Sequence, residues 1–176
     1  MSDNFFQIAF TPAALDAQKH YYGHAAVPPA EVEPFQLTAE EIAFIQDRDS
    51  FYMATVTETG WPYIQHRGGP RGFLRVLDGQ TLAFADFRGN RQLLSVGNLA
   101  VNDRVALFLM NYNHRERLKI LGHAKVVDAR DNPELVAKLA MPGYPAKIER
   151  ALVIGVVATD WNCPQHITPR SRSTGE

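Results

Sequence analysis

The chain has 176 residues, 45% of them hydrophobic and 21% charged, which is the composition of one globular domain with a single core. Its 18 basic and 19 acidic residues nearly cancel, so no overall charge attracts nucleic acid or an anionic membrane. A single cysteine, Cys163, excludes an intramolecular disulfide and a cysteine-rich metal site. There is no signal-peptide pattern and no apolar run of membrane-spanning length. We therefore expect a cytoplasmic protein without nucleic-acid or membrane partners.

Residues 1–48 are predicted to form a helical arm that packs on the domain formed by the rest of the chain. Thr11 before a proline is typical of a helix start, and Gly23 is typical of the end of that helix. The proline-rich segment 27–34 excludes regular structure. Thr38-Ala-Glu-Glu41 has the spacing of a capping box and predicts a helix to about residue 48.

From residue 51 onward, β-branched and aromatic residues indicate strands. The predicted strands are 51–57, 61–67 (continued over 72–77 after a break at Gly68-Gly-Pro70), 81–86, 104–110, 117–127 and 149–159, with short helices at about 90–100 and 134–140. Six strands in mostly hairpin order predict a mainly β, mostly antiparallel barrel, because closure removes exposed edges. We place this domain at residues 49–170 and a flexible tail at 171–176.

The stretch Phe84-Ala-Asp-Phe-Arg-Gly-Asn-Arg-Gln92 joins a predicted strand to the start of a helix. Its turn carries two arginines and an asparagine beside backbone N–H groups that have no partner within the helix. Exposed donors and the helix dipole both favour an anion, so the stretch suits a phosphate group. The same residues are compatible with an ordinary surface loop of solvated arginines, and the stretch alone does not distinguish the two.

Further motifs accompany the stretch 84–92: they are Ala54-Thr-Val56, Gly60-Trp-Pro-Tyr63, Asn102-Asp103 and Arg117-Leu-Lys-Ile-Leu-Gly122. Together these five motifs resemble those of the pyridoxamine 5′-phosphate oxidase-like family of FMN-binding split barrels, in which the stretch 84–92 is Phe-Tyr-Thr-Asn-Tyr-x-Ser-Arg-Lys. The nearest likeness is to the branch with Gln65-His-Arg-Gly-Gly-Pro70 and Trp161-Asn-Cys-Pro-Gln-His-Ile167. The resemblance covers about residues 45–170. It implies a six-stranded split β-barrel, FMN as the cofactor, and a homodimer with FMN at the subunit interface.

Position by position, the resemblance also implies which residues contact FMN. The segment 65–69 lies where the family strand follows the flavin and its ribityl phosphate, and 90–92 falls on the family's Ser-Arg-Lys phosphate clamp. Arg117 stands where the family usually has a flavin-contacting Gln, and Trp161 matches a Trp that reaches the flavin at the dimer interface. The expected cofactor-binding set is Gln65, His66, Arg67, Gly68, Gly69, Ala85, Asp86, Arg88, Asn90, Arg91, Gln92, Arg117, Trp161 and Gln165.

The chemistry of these residue types agrees with the resemblance. A phosphate monoester carries about two negative charges. The guanidinium group of arginine is always ionised and can donate two parallel hydrogen bonds to it. Arg67, Arg88 and Arg91 are the candidates for this contact. Arg88 aligns with no family ligand and is the weaker of them. Gly68-Gly69 would let the main chain approach a planar ring. No catalytic residue is assigned, because a bound flavin carries the redox chemistry itself.

Two departures from the family pattern affect the expected activity. The oxidase itself has an Arg-Leu-His-Asp-Arg element near its C-terminus, whereas this chain has Pro164-Gln-His-Ile-Thr-Pro-Arg170, in which His166 and Arg170 are only loose counterparts. Oxidation of vitamin B6 is therefore in doubt. In addition, the last Lys of the clamp is Gln92 here, which removes one positive charge from the site.

Several single residues are compatible with other interpretations. The scattered histidines lack metal-ligand spacing, so we expect no metal. A Cys163–His166 nucleophile is an alternative to a buried structural thiol. In a regular strand His66 points away from Gln65 and Arg67, so only one of these sets can line a ligand unless the glycines bulge the strand. Trp161 could simply close the end of the barrel.

The leading functional hypothesis is an FMN-dependent oxidoreductase that passes electrons between a nicotinamide, NAD(P)H, or another reductant and a small acceptor. Two alternatives remain open at this stage. One is a non-enzymatic module that binds flavin or haem, in storage or in a stress response. The other is a reductase that uses the deazaflavin F420.

Overall fold

The computed structural model describes residues 1–161, 165–168 and 170; Cys163 and the tail 171–176 lie outside them. The helices are α1 (Asp3–Ala9), α2 (Pro12–Tyr22), α3 (Ala39–Gln46), α4 (Leu94–Val101) and α5 (Pro133–Leu139). The strands are β1 (Ser50–Val56), β2 (Pro62–Gly68), β3 (Arg75–Val76), β4 (Thr81–Phe87), β5 (Arg104–Asn111), β6 (Glu116–Asp128) and β7 (Ile148–Trp161). No helix among the described residues is both long and apolar enough to span a membrane.

The strands form one antiparallel sheet in the order β2-β1-β5-β6-β7-β4-β3. The sheet curls into a split barrel, so that β2, at one edge, comes close to β4, near the other. Phe51 of β1 and Phe84 of β4 meet inside the barrel with ring centroids 5.2 Å apart. Phe73 contacts both rings, at 5.5 Å and 6.3 Å. These contacts across the interior close the barrel without backbone hydrogen bonds between β2 and β4.

The mainly β class with short flanking helices is confirmed, with seven strands instead of six. The extra strand arises because the expected stretch 72–77 pairs only over Arg75–Val76. Gly72 has φ 77°, and the backbone N–H of Phe73 donates to the carbonyl of Pro70, which makes a turn. The turn directs the side chains of Phe73 and Leu74, at most 1% exposed, into the core instead of along an edge.

The N-terminal segment contains three helices, one more than the sequence pattern indicated. The missed helix is α1, which begins after Ser2 and contacts β7. In α3 the capping box is present, and Phe44 and Ile45 are buried in the barrel core. The expected helix α2 has its Thr11 N-cap and its Gly23 C-cap, yet it buries no residue. The segment therefore joins the barrel through α1 and α3.

Candidate anion-binding site

A cleft of about 190 Å³ lies at the split, where the end of β2 faces the β4–α4 turn and the start of β7. Its lining is mostly polar, and its charged side chains are three arginines and two carboxylates. The lining residues are Tyr63, Gln65, Arg67, Asp86, Phe87, Gly89, Asn90, Arg91, Gln92, Leu93, Leu94, Ser95, Val96, Glu149 and Arg150.

The turn between β4 and α4 is held by a local hydrogen-bond pair. The Asn90 side-chain oxygen accepts from the backbone N–H of Gln92 at 3.1 Å, and its amide donates to the Gln92 side chain at 3.2 Å. Arg91 and Leu93 have φ values of 61° and 56°, in the left-handed region that non-glycine residues rarely adopt. The turn thus places the exposed side chain of Arg91 at the cleft.

The N-terminus of α4 opens into the cleft without a side-chain cap. Leu93, its N-cap residue, makes no capping hydrogen bond, whereas the other four helices are capped by Ser2, Thr11, Thr38 and Asn132. The first backbone N–H groups of a helix have no partner within the helix and carry a partial positive charge. Because Leu94, Ser95 and Val96 line the cleft, these donors are available to an anion there.

Two hydrogen bonds fix α4 against the barrel next to the cleft. The hydroxyl of Ser95, which is 1% exposed, donates to the side-chain oxygen of Gln65 on β2 at 2.9 Å. One turn later, the amide of Asn98 donates to the hydroxyl of Thr55 on β1 at 2.8 Å, a bond between two buried side chains. The helix start is therefore held in place relative to β2.

A chain of ion pairs crosses the cleft from β2 to β7. Asp86, which is 6% exposed, accepts from Nη1 of Arg67 on one oxygen and from Nε of Arg150 on the other, both at 2.9 Å. Nη2 of Arg150 also reaches Glu149 at 3.2 Å, and Glu149 accepts from Nε of Arg88 at 2.9 Å. Asp86 thus bridges the two sides of the split.

Arg67 retains an unused donor in this arrangement. Its Nε is buried and has no hydrogen-bond partner among the described residues, although its guanidinium lies 5.9 Å from the centroid of the Phe84 ring. A buried N–H without an acceptor costs about 1–3 kcal/mol. The Nε atoms of Arg75 and Arg117, which do not line this cleft, are buried without a described partner in the same way, so this donor does not by itself mark a binding site.

A larger polar cleft, of about 430 Å³, lies between the end of α3 and the β5–β6 hairpin. Its buried arginine, Arg48, donates to the carbonyls of Phe44 and Met110 and pairs with Asp47. Arg170, also in its lining, lies over the ring of Tyr112 at 4.6 Å. Arg48 is therefore committed to holding the structure together, and the smaller cleft at the split is the better candidate site.

Six residues expected from the sequence line the smaller cleft: Gln65, Arg67, Asp86, Asn90, Arg91 and Gln92. The alternation along β2 is regular, so His66 lies on the opposite face, exposed and edge-on to Tyr52 with ring centroids 5.5 Å apart. Gly68 shares that exposed face. The structure therefore places Gln65 and Arg67, and not His66, toward the cleft.

The two glycines after Arg67 have neighbours other than the cleft. A Cβ on Gly69 would lie 2.8 Å from Cγ of Phe73, and one on Gly68 would lie 3.1 Å from the His66 ring. Gly69 thus permits the close packing of Phe73. Ala85 is also directed away from the cleft, into the small buried cluster with Leu139 of α5.

The remaining expected residues do not line the cleft either. Arg88 is bound to Glu149. Arg117 faces Met110 across the β5–β6 pair, and its Nε is buried without a hydrogen-bond partner in the described part of the chain. Trp161 packs edge-on against Phe44 at 4.8 Å. Gln165 and His166 are exposed.

Sequence reasoning missed Arg150 and Glu149. The signal for Arg150 was its spacing, because Arg150 continues the face of β7 that carries Leu152 and Ile154 into the core. Asp86 continues the core-facing residues Leu82 and Phe84 of β4 in the same way. Two opposite charges that each extend an inward-facing apolar row indicate the polar mouth of a barrel.

The family to which this sequence belongs is shown by a comparison with family models. The model described as pyridoxamine 5′-phosphate oxidase matches residues 37–160. The chain belongs to this family. The match includes all the lining residues of the cleft. No curated protein matches the chain.

Solved structures share the fold at low sequence identity. HupZ from Group A Streptococcus is 15% identical with a TM-score of 0.57, over 77% of this chain and 100% of that one. A protein called an F420 reductase is 18% identical with a TM-score of 0.51, over 67% and 94%. An FMN-binding protein from Syntrophomonas wolfei is 14% identical with a TM-score of 0.50, over 69% and 83%. At these identities the likeness concerns the fold.

Proposed function

We propose that this family member is an FMN-binding flavoprotein that transfers electrons between a nicotinamide or other reductant and a small acceptor. The observation that carries the proposal is the uncapped start of α4, which opens into a cleft with three arginines. A helix N-terminus and arginine forks together are the usual means of holding a phosphate. Membership of a family that includes oxidases gives this phosphate site its expected ligand.

The residues at the cleft fit the phosphate of FMN. With Arg88 included, four arginines oppose two carboxylates, which leaves a net charge of +2 beside the helix start. A phosphate monoester carries about two negative charges near neutral pH. Arg67, Arg91 and the first N–H groups of α4 are the groups that would hold it. Bound there, the flavin would supply the hydride and electron chemistry, and the protein would orient it and limit access of water.

The cleft of one copy is too small for the whole cofactor, which supports a homodimer. Its volume of about 190 Å³ lies below the roughly 300–1,000 Å³ of typical small-molecule sites. One copy would therefore bind the phosphate end, and the flavin ring would lie against a second copy. Arg117 and Trp161, which lie away from the cleft of their own chain, are the residues we propose for that second contact.

An open apolar sheet face is available for this second copy. The outer face of β2, β1 and β5 carries Ile64, 64% exposed, and Tyr52, 39% exposed. Across β2, β1 and β5, one row consists of Ile64, Ala54 and Ala106, and the row beside it consists of His66, Tyr52 and Phe108. Apolar rows of this kind on one face of a sheet are typical of protein interfaces.

The dimer is tested by Ile64→Glu. We expect the wild-type chain to sediment as a dimer and Ile64→Glu, which places a charge in the proposed interface, to sediment as a monomer. Glu58→Gln, an exposed position in the β1–β2 turn, serves as the control and should leave the dimer intact. A wild-type chain that sediments as a monomer at micromolar concentration would contradict this part of the proposal.

Binding of FMN is tested by titration of the purified protein, followed by quenching of flavin fluorescence. We expect Arg91→Ala to weaken FMN binding roughly tenfold or more, because one charged hydrogen bond is worth about 1.5–3 kcal/mol. Lys19→Ala, on the exposed surface of α2, removes the same charge away from the cleft and from the proposed interface and should not change the dissociation constant. Equal constants for wild type and Arg91→Ala would contradict the assignment.

Electron transfer is tested separately from binding. Under anaerobic conditions, NAD(P)H should bleach the visible absorption of the bound flavin, and an added acceptor should restore it. A flavin that binds but is not reduced by NAD(P)H or by any other reductant would favour a non-enzymatic binding module. Competition between FMN and F420 for the same protein distinguishes the third hypothesis, for which the similar fold of an F420 reductase is the supporting observation.

A further inference from the structure

Arg150 occupies a position that no sequence motif marks. It follows the irregularity in the β4–β7 pairing, where the register shifts between Asp86 and Phe87. Its side chain, 19% exposed, lies at the inward face of β7 and lines the cleft. It reaches the cleft from the side opposite β2, which carries Arg67.

The guanidinium of Arg150 is held by two carboxylates. Nε donates to Asp86 at 2.9 Å, and Nη2 donates to Glu149 at 3.2 Å. These bonds use two of the five N–H donors of an arginine side chain, so three remain for another acceptor. Because two separate partners orient it, the fork enters the cleft in a fixed position, which lowers the entropy lost on binding.

Arg88 differs from Arg150 although both carry the same charge. Its side chain is 44% exposed, its Nε is bound to Glu149, and it does not line the cleft. Glu149 therefore bonds to both arginines, keeping Arg88 outside while helping to aim Arg150 inward.

We propose that Arg150 is a phosphate-binding residue of this cleft and that it makes the site selective for a dianionic phosphate monoester over the same molecule without its phosphate. This inference rests on the proposed function. It adds Arg150, which lies outside the family motifs, to the residues that bind the phosphate. The phosphate would lie between Arg150 and Arg91, with Arg67 on the β2 side. Asp86 is then a positioning residue, since it holds both Arg67 and Arg150.

The experiment compares FMN with riboflavin, which shares the ring and the ribityl chain but lacks the phosphate. Dissociation constants are measured by fluorescence quenching for wild type, Arg150→Gln, Arg150→Lys and the exposed charge control Lys19→Gln on α2. We expect Arg150→Gln to weaken FMN binding by roughly tenfold to a hundredfold and to leave riboflavin binding unchanged. Arg150→Lys keeps the charge but not the fork, so an intermediate loss is expected. Lys19→Gln should match wild type.

The outcomes separate this inference from the proposed function. If wild type binds neither flavin, the proposed function fails; Arg150 is then tested with inorganic phosphate, whose addition should shift the amide resonances of α4 in wild type but not in Arg150→Gln. Equal losses of FMN and riboflavin binding in Arg150→Gln, or no loss of either, would overturn the inference. Circular dichroism confirms that each variant is folded, and Arg150→Lys provides the test if Arg150→Gln is not.

Discussion

Asp86 links the two sides of the split barrel, so its replacement should destabilise the fold. In Asp86→Asn the carboxylate that receives Arg67 and Arg150 becomes a neutral amide. The side chains of these arginines are only 15% and 19% exposed, so water replaces the lost acceptor poorly. We expect a lower free energy of unfolding without a change of fold, since the aromatic contacts inside the barrel are untouched.

The size of the effect can be estimated from this geometry. Removing one partner of a fully buried ion pair costs about 3–5 kcal/mol. Partial exposure of both arginines lets some solvent reach them, so we reduce this to about 2–3 kcal/mol. For a chain of this length, each 1 kcal/mol lowers the melting temperature by about 2–4 °C, which gives a decrease of about 4–12 °C.

Thermal denaturation followed by circular dichroism measures this decrease in melting temperature. Asp128→Asn is the matched control, because Asp128 also binds an arginine through both oxygens, but Arg130 is 88% exposed. The control should lose little stability, since exposed ion pairs contribute little. If Asp86→Asn is no less stable than Asp128→Asn, the bridge across the split does not contribute to the stability of the fold.

Three further predictions follow from single contacts. Gly69→Ala should lower stability by about 1–3 kcal/mol, measured by urea denaturation, because the new Cβ would lie 2.8 Å from Phe73; FMN affinity should not change. Asn98→Ala should cost about 1–3 kcal/mol in the same assay, since it leaves a buried hydroxyl on β1 unpaired. The Arg130 hydrogen bonds hold the pKa of Asp128 well below its usual range, so an NMR titration should show that pKa rising in Arg130→Gln.

The direction of the Asp128 pKa shift determines how the contribution of Asp128 to the free energy of unfolding depends on pH. A carboxyl whose pKa is lower in the folded than in the unfolded state stabilises the fold above its unfolded pKa, near 3.8. The contribution is lost as the pH falls from that value toward the folded pKa. Wild type and Arg130→Gln should therefore differ most in stability at neutral pH and converge in acid. A gap between them that widens as the pH falls would contradict this sign.

Local sequence patterns predicted the strands and capped helices because they depend on neighbouring residues. The Thr38–Glu41 capping box and the alternation in β2 both fix structure within a few residues. The helix α1 was missed although Ser2 caps it locally; what depends on a distant strand is its attachment to the barrel, because the Ser2 hydroxyl donates to the carbonyl of Thr159 at 2.8 Å. The turn at Gly72 escaped because it depends on the carbonyl of Arg48 as an acceptor.

The residues of the candidate site also divide into those fixed by a local stretch of sequence and those that depend on distant partners. The segment 89–92 could be predicted because one continuous stretch forms the turn and the helix start. Arg150 was missed although its spacing places it on the inward face of β7, because its partner Asp86 is 64 residues away and the two meet only through the register of β4 and β7. Arg88 was the weaker candidate in the sequence because it aligns with no family ligand, and in the structure Glu149 binds it outside the cleft.

The placement of the cleft at the split has a consequence for local opening of the protein. No backbone hydrogen bonds join β2 to β4, so the amide N–H groups that face the split depend on side chains for their protection from hydrogen exchange. A ligand held by both sides would slow exchange in β2 and around the start of α4 at the same time, although β2 and β4, the strand that leads to α4, lie toward opposite ends of the sheet order. The bound molecule would then act as part of the barrel wall.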